Sequence, residues 1–372
     1  MRKILINGLN AKSGGGKSIL NNYLKILKNS KDNDKYYVLT PCKNDYLQYQ
    51  SINVNIIDIP LFYKKQFLLP FTYIFVLSNL VKRLKIDSIF NLADIPIATK
   101  VYQVFLFDWP YGVYPTSVVW KKMNLKDFLF RKFKLYLFTR NLRYINHLIA
   151  QNDAMKKRLI KYFKFKKISV INNAVSLENL SVLSDKKIDL PNGKILTYLT
   201  YYYPHKNLEI FLKLAKLIKD KNLDYKIITT ISADQNNGAK IFLQKIKNNR
   251  LEDIIFNIGP VQMKDVPNLY NQSDALLMPT LLESFSGTYV EAMFHKIPIL
   301  TSNIDFAFSV CGDAAVYFDP LDPQDILSKI ESVIGNSCEM DSLVQRGSKR
   351  LLSFYSWEEA YNEYQKIIKN DE

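Results

Sequence analysis

Two glutamates, Glu283 and Glu291, lie eight positions apart in the run MPTLLESFSGTYVEAMFHKIPILTS, residues 278–302. Ala275 to Met278 reads as a buried strand, Thr280 to Gly287 as a loop, Thr288 to Phe294 as the start of a helix and Ile297 to Leu300 as the next strand. In open α/β sheets, ligands bind outside the carboxyl ends of strands, where such a loop sits. Glu283 then lies in the loop and Glu291 one turn into the helix, both within reach of a ligand lying across the helix N-terminus. The N–H groups of Phe285, Ser286 and Gly287 would face that ligand, and the helix dipole favours negative charge there. A phosphate or diphosphate suits this arrangement. The spacing by itself is equally that of two solvated carboxylates.

A second phosphate-binding pattern competes with the first. AKSGGGKS, Ala11 to Ser18, follows a short apolar strand (Lys3 to Asn7) and opens a helix-like run ending at Leu27. It fits the relaxed nucleotide P-loop pattern, with Lys17 for phosphates and Ser18 for magnesium, so a P-loop NTPase or kinase is an alternative. Against it, Ala11 stands where that pattern begins with glycine, and no downstream apolar strand ends in a clear magnesium-binding Asp. Otherwise Gly15 and Gly16 belong to a turn that lets the backbone approach a ligand closely. Asp32 and Asp34 form an Asp-x-Asp triplet among lysines and asparagines, which reads as a solvated loop. Cys42, Cys311 and Cys338 are widely separated, with no spacing for zinc or redox work. No metal is expected.

The elements that must position these groups alternate between strand and helix along the whole chain. Its 372 residues and 48% apolar content suit two domains, each with its own core. Strands are expected at Tyr36–Thr40, Val54–Ile59, Ile86–Asn91, Tyr102–Phe107, His147–Ala150 and Ile168–Ile171, and again at Ile195–Thr200, Tyr225–Ile231 and Ile254–Ile258. The polar stretch Ser184 to Lys194, with Pro191-Asn192-Gly193, reads as a linker. This gives a first domain over 1–187 and a second over 188–355. Asp108 follows the strand Tyr102–Phe107, where it is either a group facing an acceptor or a turn cap.

Charge divides unevenly between the halves. Residues 1–190 carry 32 Lys+Arg against 12 Asp+Glu, and the remainder 19 against 23. A basic first domain suits an anionic partner. Trp120 to Tyr144 concentrates the cations, from Lys121 and Lys122 to Arg140 and Arg143, among Phe128, Phe130, Phe133, Tyr136 and Phe138. A helix so composed either lies on an anionic membrane or packs as an ordinary domain helix; nucleic acid uses similar ingredients but is not the expected partner. Phe67 to Val81 is apolar but shorter than the roughly 20 residues a bilayer span needs, and is expected as a buried helix, with an interfacial segment second. MRKILING runs into a strand without the apolar core of a signal peptide, so a cytoplasmic protein is expected, possible membrane contact being peripheral.

Glu283-Ser284-Phe285-Ser286-Gly287, followed by Val290-Glu291-Ala292-Met293 and Pro298, resembles the donor-binding signature of the retaining GT-B glycosyltransferases of family four, the glycosyl transferases group 1. Cys311-Gly312-Asp313-Ala314-Ala315 and Phe318-Asp319-Pro320 match the tail of that pattern. The resemblance implies an α/β GT-B architecture, two facing Rossmann-like domains with a cleft between them, and a last helix (356–370) returning to the first domain. It implies a retaining, metal-independent transfer of a sugar, without a cofactor, from a nucleotide-diphosphate donor to a glycan or lipid-linked acceptor in bacterial surface polysaccharide synthesis. Lys206, in His205-Lys206-Asn207, would then be the main cation for the leaving diphosphate, and Glu283 would hold sugar hydroxyls. Ser284, Phe285, Ser286, Gly287 and Thr288 would cradle the donor, Glu291 its ribose, and Gly259 and Val261 its base. His205, Gly15, Gly16 and Asp108 complete the expected binding residues. Two family features are missing: the Arg usual five or six residues before the lysine is Thr200 or Tyr201 here, and a His usual near Asp108 is replaced by that Asp, so a catalytically degenerate basic membrane- or nucleic-acid-binding protein is a second alternative.

Overall fold

The computed structural model describes residues 1–12, 14–175, 177–180, 184 and 187–370. Ser13 of the glycine run, and Asp185 and Lys186 of the expected linker, lie outside the described residues. The chain divides into two compact units. The first comprises Met1–Pro115, Asn124–Ala174 and the segment from Tyr355; the second comprises Thr116–Met123 and Val175–Phe354.

In the first unit seven strands form a parallel sheet: β1 Lys3–Asn7, β2 Lys35–Leu39, β3 Val54–Ile57, β4 Ser88–Asn91, β5 Tyr102–Phe107, β6 His147–Ala150 and β7 Ile168–Val170. Their spatial order is β3-β2-β1-β4-β5-β6-β7. The strands are short apolar runs because a parallel sheet is covered on both faces. On one face Ile4, Ile6 and Phe90 pack with Leu20, Tyr23 and Leu24 of the helix Gly14–Asn29 and with Tyr361, Tyr364 and Ile368 of the helix Trp357–Lys369. On the other, Leu5, Leu39 and Ile89 pack with Tyr73, Leu77, Val81 and Leu137.

The helix Trp357–Lys369 is well specified locally. A capping box joins Ser356 to Glu359, satisfying two otherwise orphaned donors. At its far end Lys369 pairs with Asp32 at 2.7 Å and Asp34 at 3.0 Å. The two carboxylates expected in a solvated loop are therefore the anchor of the last helix. Burial works against the Asp32 charge, but bonds from Lys369 and Tyr36 outweigh it and hold its carboxyl below the ordinary range.

The stretch expected as a buried helix, Phe67–Val81, is a series of short helical pieces. A π-helical turn at Thr72–Val76 leads into the helix Leu77–Leu84. Thr72, Tyr73, Leu77 and Val81 are buried, whereas Phe67, Phe71 and Phe75 are exposed.

The second unit repeats the plan with six parallel strands: β8 Lys194–Tyr198, β9 Tyr225–Thr229, β10 Ile255–Asn257, β11 Ala275–Met278, β12 Ile299–Ser302 and β13 Val316–Phe318. Their order is β10-β9-β8-β11-β12-β13. The chain starts in the middle of each sheet, builds one edge, then returns to build the other. Each sheet consequently has a switch point between neighbours that lead in opposite directions, β1/β4 in one and β8/β11 in the other, where loops diverge and leave a crevice. Among the described residues no helix is long and apolar enough to cross a membrane.

Candidate functional site

The switch point of the second unit holds Lys206 and Glu283. Lys206 lies in the turn Pro204–Lys206 after β8, Glu283 in the loop after β11, and their side chains form an ion pair with little access to water. Burial opposes the lysine charge, but the Glu283 carboxylate reverses the balance and raises the Lys206 pKa. Thr280 Oγ1 lies 3.2 Å from Glu283 Oε1 and 3.1 Å from the His205 carbonyl oxygen, to which it donates. The Leu281 N–H donates to that same carbonyl at 2.7 Å. The two loops are thus fastened together directly behind the charged pair.

Asn207 provides the second fastening. Its backbone is left-handed, with φ 57°, a conformation Asn tolerates better than most residues. Its side-chain amide donates to the carbonyls of Pro279 at 3.2 Å and Pro320 at 2.8 Å, and its oxygen accepts from Lys122 at 2.6 Å. Lys122, expected in the basic stretch of the first domain, belongs to the second unit. Beneath the pair, burial pushes the Tyr198 phenol up to about 12.

Glu291 lies on the helix Gly287–Phe294, whose N-cap Ser286 makes no side-chain capping bond. Tyr289 on this helix and Thr301 on β12 share a hydrogen bond of 2.7 Å, which fixes the helix against the sheet. Glu291 Oε2 accepts from Tyr270 at 3.0 Å, and Tyr270 stacks on His295 with ring centres 5.2 Å apart. Burial raises the Glu291 pKa, the bond from Tyr270 working against it. A Cβ built on Gly287 would stand 3.6 Å from Glu291 Oε1, so the carboxylate is folded back over the helix's first turn. Ser284 and Ser286 are buried, and Phe285 packs edge-on to Phe354. Thr288 opens the same first turn. His205 stacks on Tyr203, with ring centres 5.4 Å apart. Gly259, with φ 75°, and Val261 lie in the loop after β10.

The remaining expected residues belong to the first unit. Gly15 and Gly16 are in the first turn of the helix Gly14–Asn29, where a Cβ on Gly15 would meet nothing within 4 Å. Packing therefore does not require glycine at that position. A Cβ on Gly16 would stand 3.9 Å from Asp108 Oδ2, so the glycine turn and Asp108 are neighbours. Burial, then the like charge of Asp94, pushes Asp108 up to about 7, with Lys134 opposing. Lys134 pairs with Asp94, and Asn10 donates to Asp94 at 2.6 Å across the β1/β4 switch point.

Sequence reasoning missed Thr280, Asn207, Tyr270 and Lys122. Asn207 stands inside the quoted His205-Lys206-Asn207 and Thr280 opens the quoted loop, but their partners are loops distant in sequence, and no local pattern announces their roles.

Residues 183–350 match the family model described as Glycosyl transferases group 1. Over 209 residues the chain is 24% identical to the O-antigen chain mannosyltransferase RfbU of Salmonella typhimurium, covering 56% of each protein. It is 31% identical over 169 residues to an Escherichia coli UDP-Gal:alpha-D-GlcNAc-diphosphoundecaprenol alpha-1,3-galactosyltransferase, covering 42% of this chain and 43% of that one. The chain thus spans about half the length of these relatives. Anabaena HepE, solved in complex with UDP-glucose, superposes with a TM-score of 0.73 over all of both chains at 15% identity. That likeness establishes the GT-B fold class, with its two Rossmann-like units. Nothing in these matches supports the P-loop reading of Ala11–Ser18.

Proposed function

From the match of residues 183–350 to the glycosyl transferases group 1 model, we propose that the chain is a member of that family and transfers a sugar from a nucleotide-diphosphate donor with retention at the anomeric carbon. The acceptor is a glycan or lipid-linked glycan, in the synthesis of a bacterial surface polysaccharide, and no metal takes part. The pathway is supported by RfbU, an O-antigen chain mannosyltransferase, and the lipid-linked acceptor by the diphosphoundecaprenol galactosyltransferase. The observation that carries the reading is the Lys206–Glu283 pair at the β8/β11 switch point, on the loop that leads to the helix Gly287–Phe294.

The chemistry demands stabilisation of charge on the diphosphate as its bond to the sugar's anomeric carbon breaks. Preorganised cations and amides do this without reorganising during the reaction. Lys206 supplies the cation, and the amides at the N-terminus of Gly287–Phe294 supply donors that the Ser286 side chain does not occupy. As the diphosphate takes up Lys206, Glu283 is released to accept hydrogen bonds from sugar hydroxyls. Glu291 holds the ribose, and the loop at Gly259 and Val261 adjoins the base. The acceptor oxygen bonds to the anomeric carbon on the face the diphosphate leaves, and its proton passes to a leaving phosphate oxygen. No protein base is needed. Gly15, Gly16 and Asp108 serve the acceptor side. The protein works in the cytoplasm, at the membrane surface where a lipid-linked acceptor lies.

The test is a thermal-shift panel of nucleoside diphosphates and sugar nucleotides, with and without magnesium, on wild type and Glu291→Ala. One sugar nucleotide should stabilise the wild type without magnesium and fail to stabilise the variant. Stabilisation by ATP with magnesium alone would overturn the reading.

A further inference from the structure

The outward side of Leu61–Phe75 is unusual for a folded surface. Leu61 is 77% exposed, Phe67 70%, Phe75 54% and Phe62 54%, with Phe71 exposed beside them. Phe62, Phe71 and Phe75 are linked in space through Tyr63, and Leu61 and Phe67 lie on the same short segment. Tyr63 and Phe71 stack with ring centres 6.1 Å apart, Phe71 and Phe75 lie at 5.3 Å, and Phe62 and Tyr63 at 5.6 Å. A contiguous exposed apolar patch marks an interaction surface, whereas single exposed residues do not.

The segment beneath the patch is held firmly. Thr72 Oγ1 donates to the Tyr63 carbonyl at 2.7 Å, Ala98 N to the Tyr73 carbonyl at 3.1 Å, and Ser78 Oγ to the Ala98 carbonyl at 2.6 Å. Tyr73 and Leu77 are buried in the core below. The rings are therefore presented by a preorganised base, which lowers the ordering cost of docking.

Charge identifies the partner. From Leu61 to Ile86 there is no acidic residue, and Lys65, Lys82, Arg83 and Lys85 are exposed, whereas Lys64 is turned inward and paired with Asp58. The helix Leu125–Asn141 adds a second stripe, with Leu125, Leu129, Phe133 and Tyr136 exposed at helical spacing beside exposed Lys126, Lys132 and Arg140. Its buried Leu137 shares a core with Tyr73 and Leu77, so both elements cover the same face of the β1–β7 sheet and look outward on the same side of the unit. A second copy would oppose one basic face to another, and like charges so juxtaposed repel. Aromatic rings flanked by cations suit the boundary between acyl chains and anionic headgroups.

We propose that Leu61–Phe75, assisted by the exposed face of Leu125–Asn141, docks the protein on an anionic lipid bilayer, with Phe67, Phe71 and Phe75 entering the headgroup region. This deepens the reading above, on which it rests for the reason a bilayer should be nearby; the docking itself is separately measurable. The cations draw the protein to the surface and the rings hold it there.

The experiment is co-sedimentation of the full chain with vesicles of mixed phosphatidylglycerol and phosphatidylcholine, and of phosphatidylcholine alone. The wild type should pellet with the anionic vesicles, less so at high salt, and much less with neutral ones. Phe67→Ser, Phe71→Ser and Phe75→Ser combined should weaken binding by about tenfold or more, because binding scales with the apolar area inserted. The combined variant should keep the wild-type melting temperature and nucleotide-induced shift, which separates lost docking from lost folding. Failure of the wild type to bind either vesicle overturns the proposal, as does unchanged binding by the variant. A wild-type dimer made monomeric by the substitutions would make the patch an interface between copies and also overturn it. Vesicle binding without any nucleotide-induced shift would leave docking standing and sink only the transferase reading.

Discussion

Lys206 and Glu283 are 77 positions apart in the chain and form an ion pair at the switch point of the second sheet. The pair is largely withdrawn from water, so each partner compensates a charge that would otherwise be costly. Lys206→Ala should lower kcat by about 10² to 10³, the usual effect of losing one electrostatic contact to a developing anion. It should also destabilise the fold by about 3 kcal/mol, because Glu283 is left unpaired. Combining Lys206→Met with Glu283→Gln should recover most of that stability but no turnover. Denaturant unfolding and steady-state kinetics on the three proteins check this; turnover that returned with stability would refute a direct role for Lys206.

Glu283 and Glu291 should separate kinetically. On the proposed reading, Glu291→Ala removes a donor-binding contact made equally in the ground and transition states, so the donor Kd should rise by about tenfold or more with kcat nearly unchanged. Glu283→Ala should reduce kcat substantially, with a smaller effect on Kd. Comparable kcat values for the two variants would defeat the assignment.

Asp108 makes stability depend on pH in a predictable direction. Its carboxyl, raised to about 7, binds a proton more readily folded than unfolded, so stability falls as pH rises from about 4 to about 7 and levels off above that. Asp108→Asn should melt at a higher temperature than wild type at pH 8, by roughly 2–4 °C for each kcal/mol relieved. The difference should close near pH 4. A variant less stable than wild type at pH 8 would exclude the buried, like-charged environment as the dominant influence.

Asp32 has the opposite sign. Its carboxyl is held below the ordinary range, so its contribution is complete above the unfolded pKa of about 4 and disappears as pH falls through the lower folded value. Asp32→Asn should therefore be less stable than wild type at pH 7 and indistinguishable from it in strong acid. Melting temperatures from pH 7 down to about pH 2 test this, and a constant gap would show that the charge of Asp32 paired with Lys369 contributes nothing.

Features confined to neighbouring residues were readable in the sequence. Ala275–Met278 and Tyr102–Phe107 are strands with the expected limits, and Glu291 stands one turn inside its helix. Such elements are specified by short apolar runs and local turn chemistry. Features that depend on distant partners were not readable. Asp32 and Asp34 look solvated until Lys369 arrives from the far end of the chain. Phe67, Phe71 and Phe75 look like core because composition does not reveal which side of a helical segment meets the sheet. Asn207 resembles any turn asparagine, although its amide ties down the carbonyls of Pro279 and Pro320.

The helix Trp357–Lys369 also imposes an order on synthesis. Tyr361, Tyr364 and Ile368 are part of the first unit's core, yet the ribosome adds them only after the whole of Val175–Phe354. At roughly 5–20 residues per second, the first unit waits roughly 10–40 s between its last strand, β7, and its closing helix. Over that interval the sheet face bearing Ile4, Ile6 and Phe90 lacks its final cover, and a nascent chain stalled before Trp357 would expose it to chaperones.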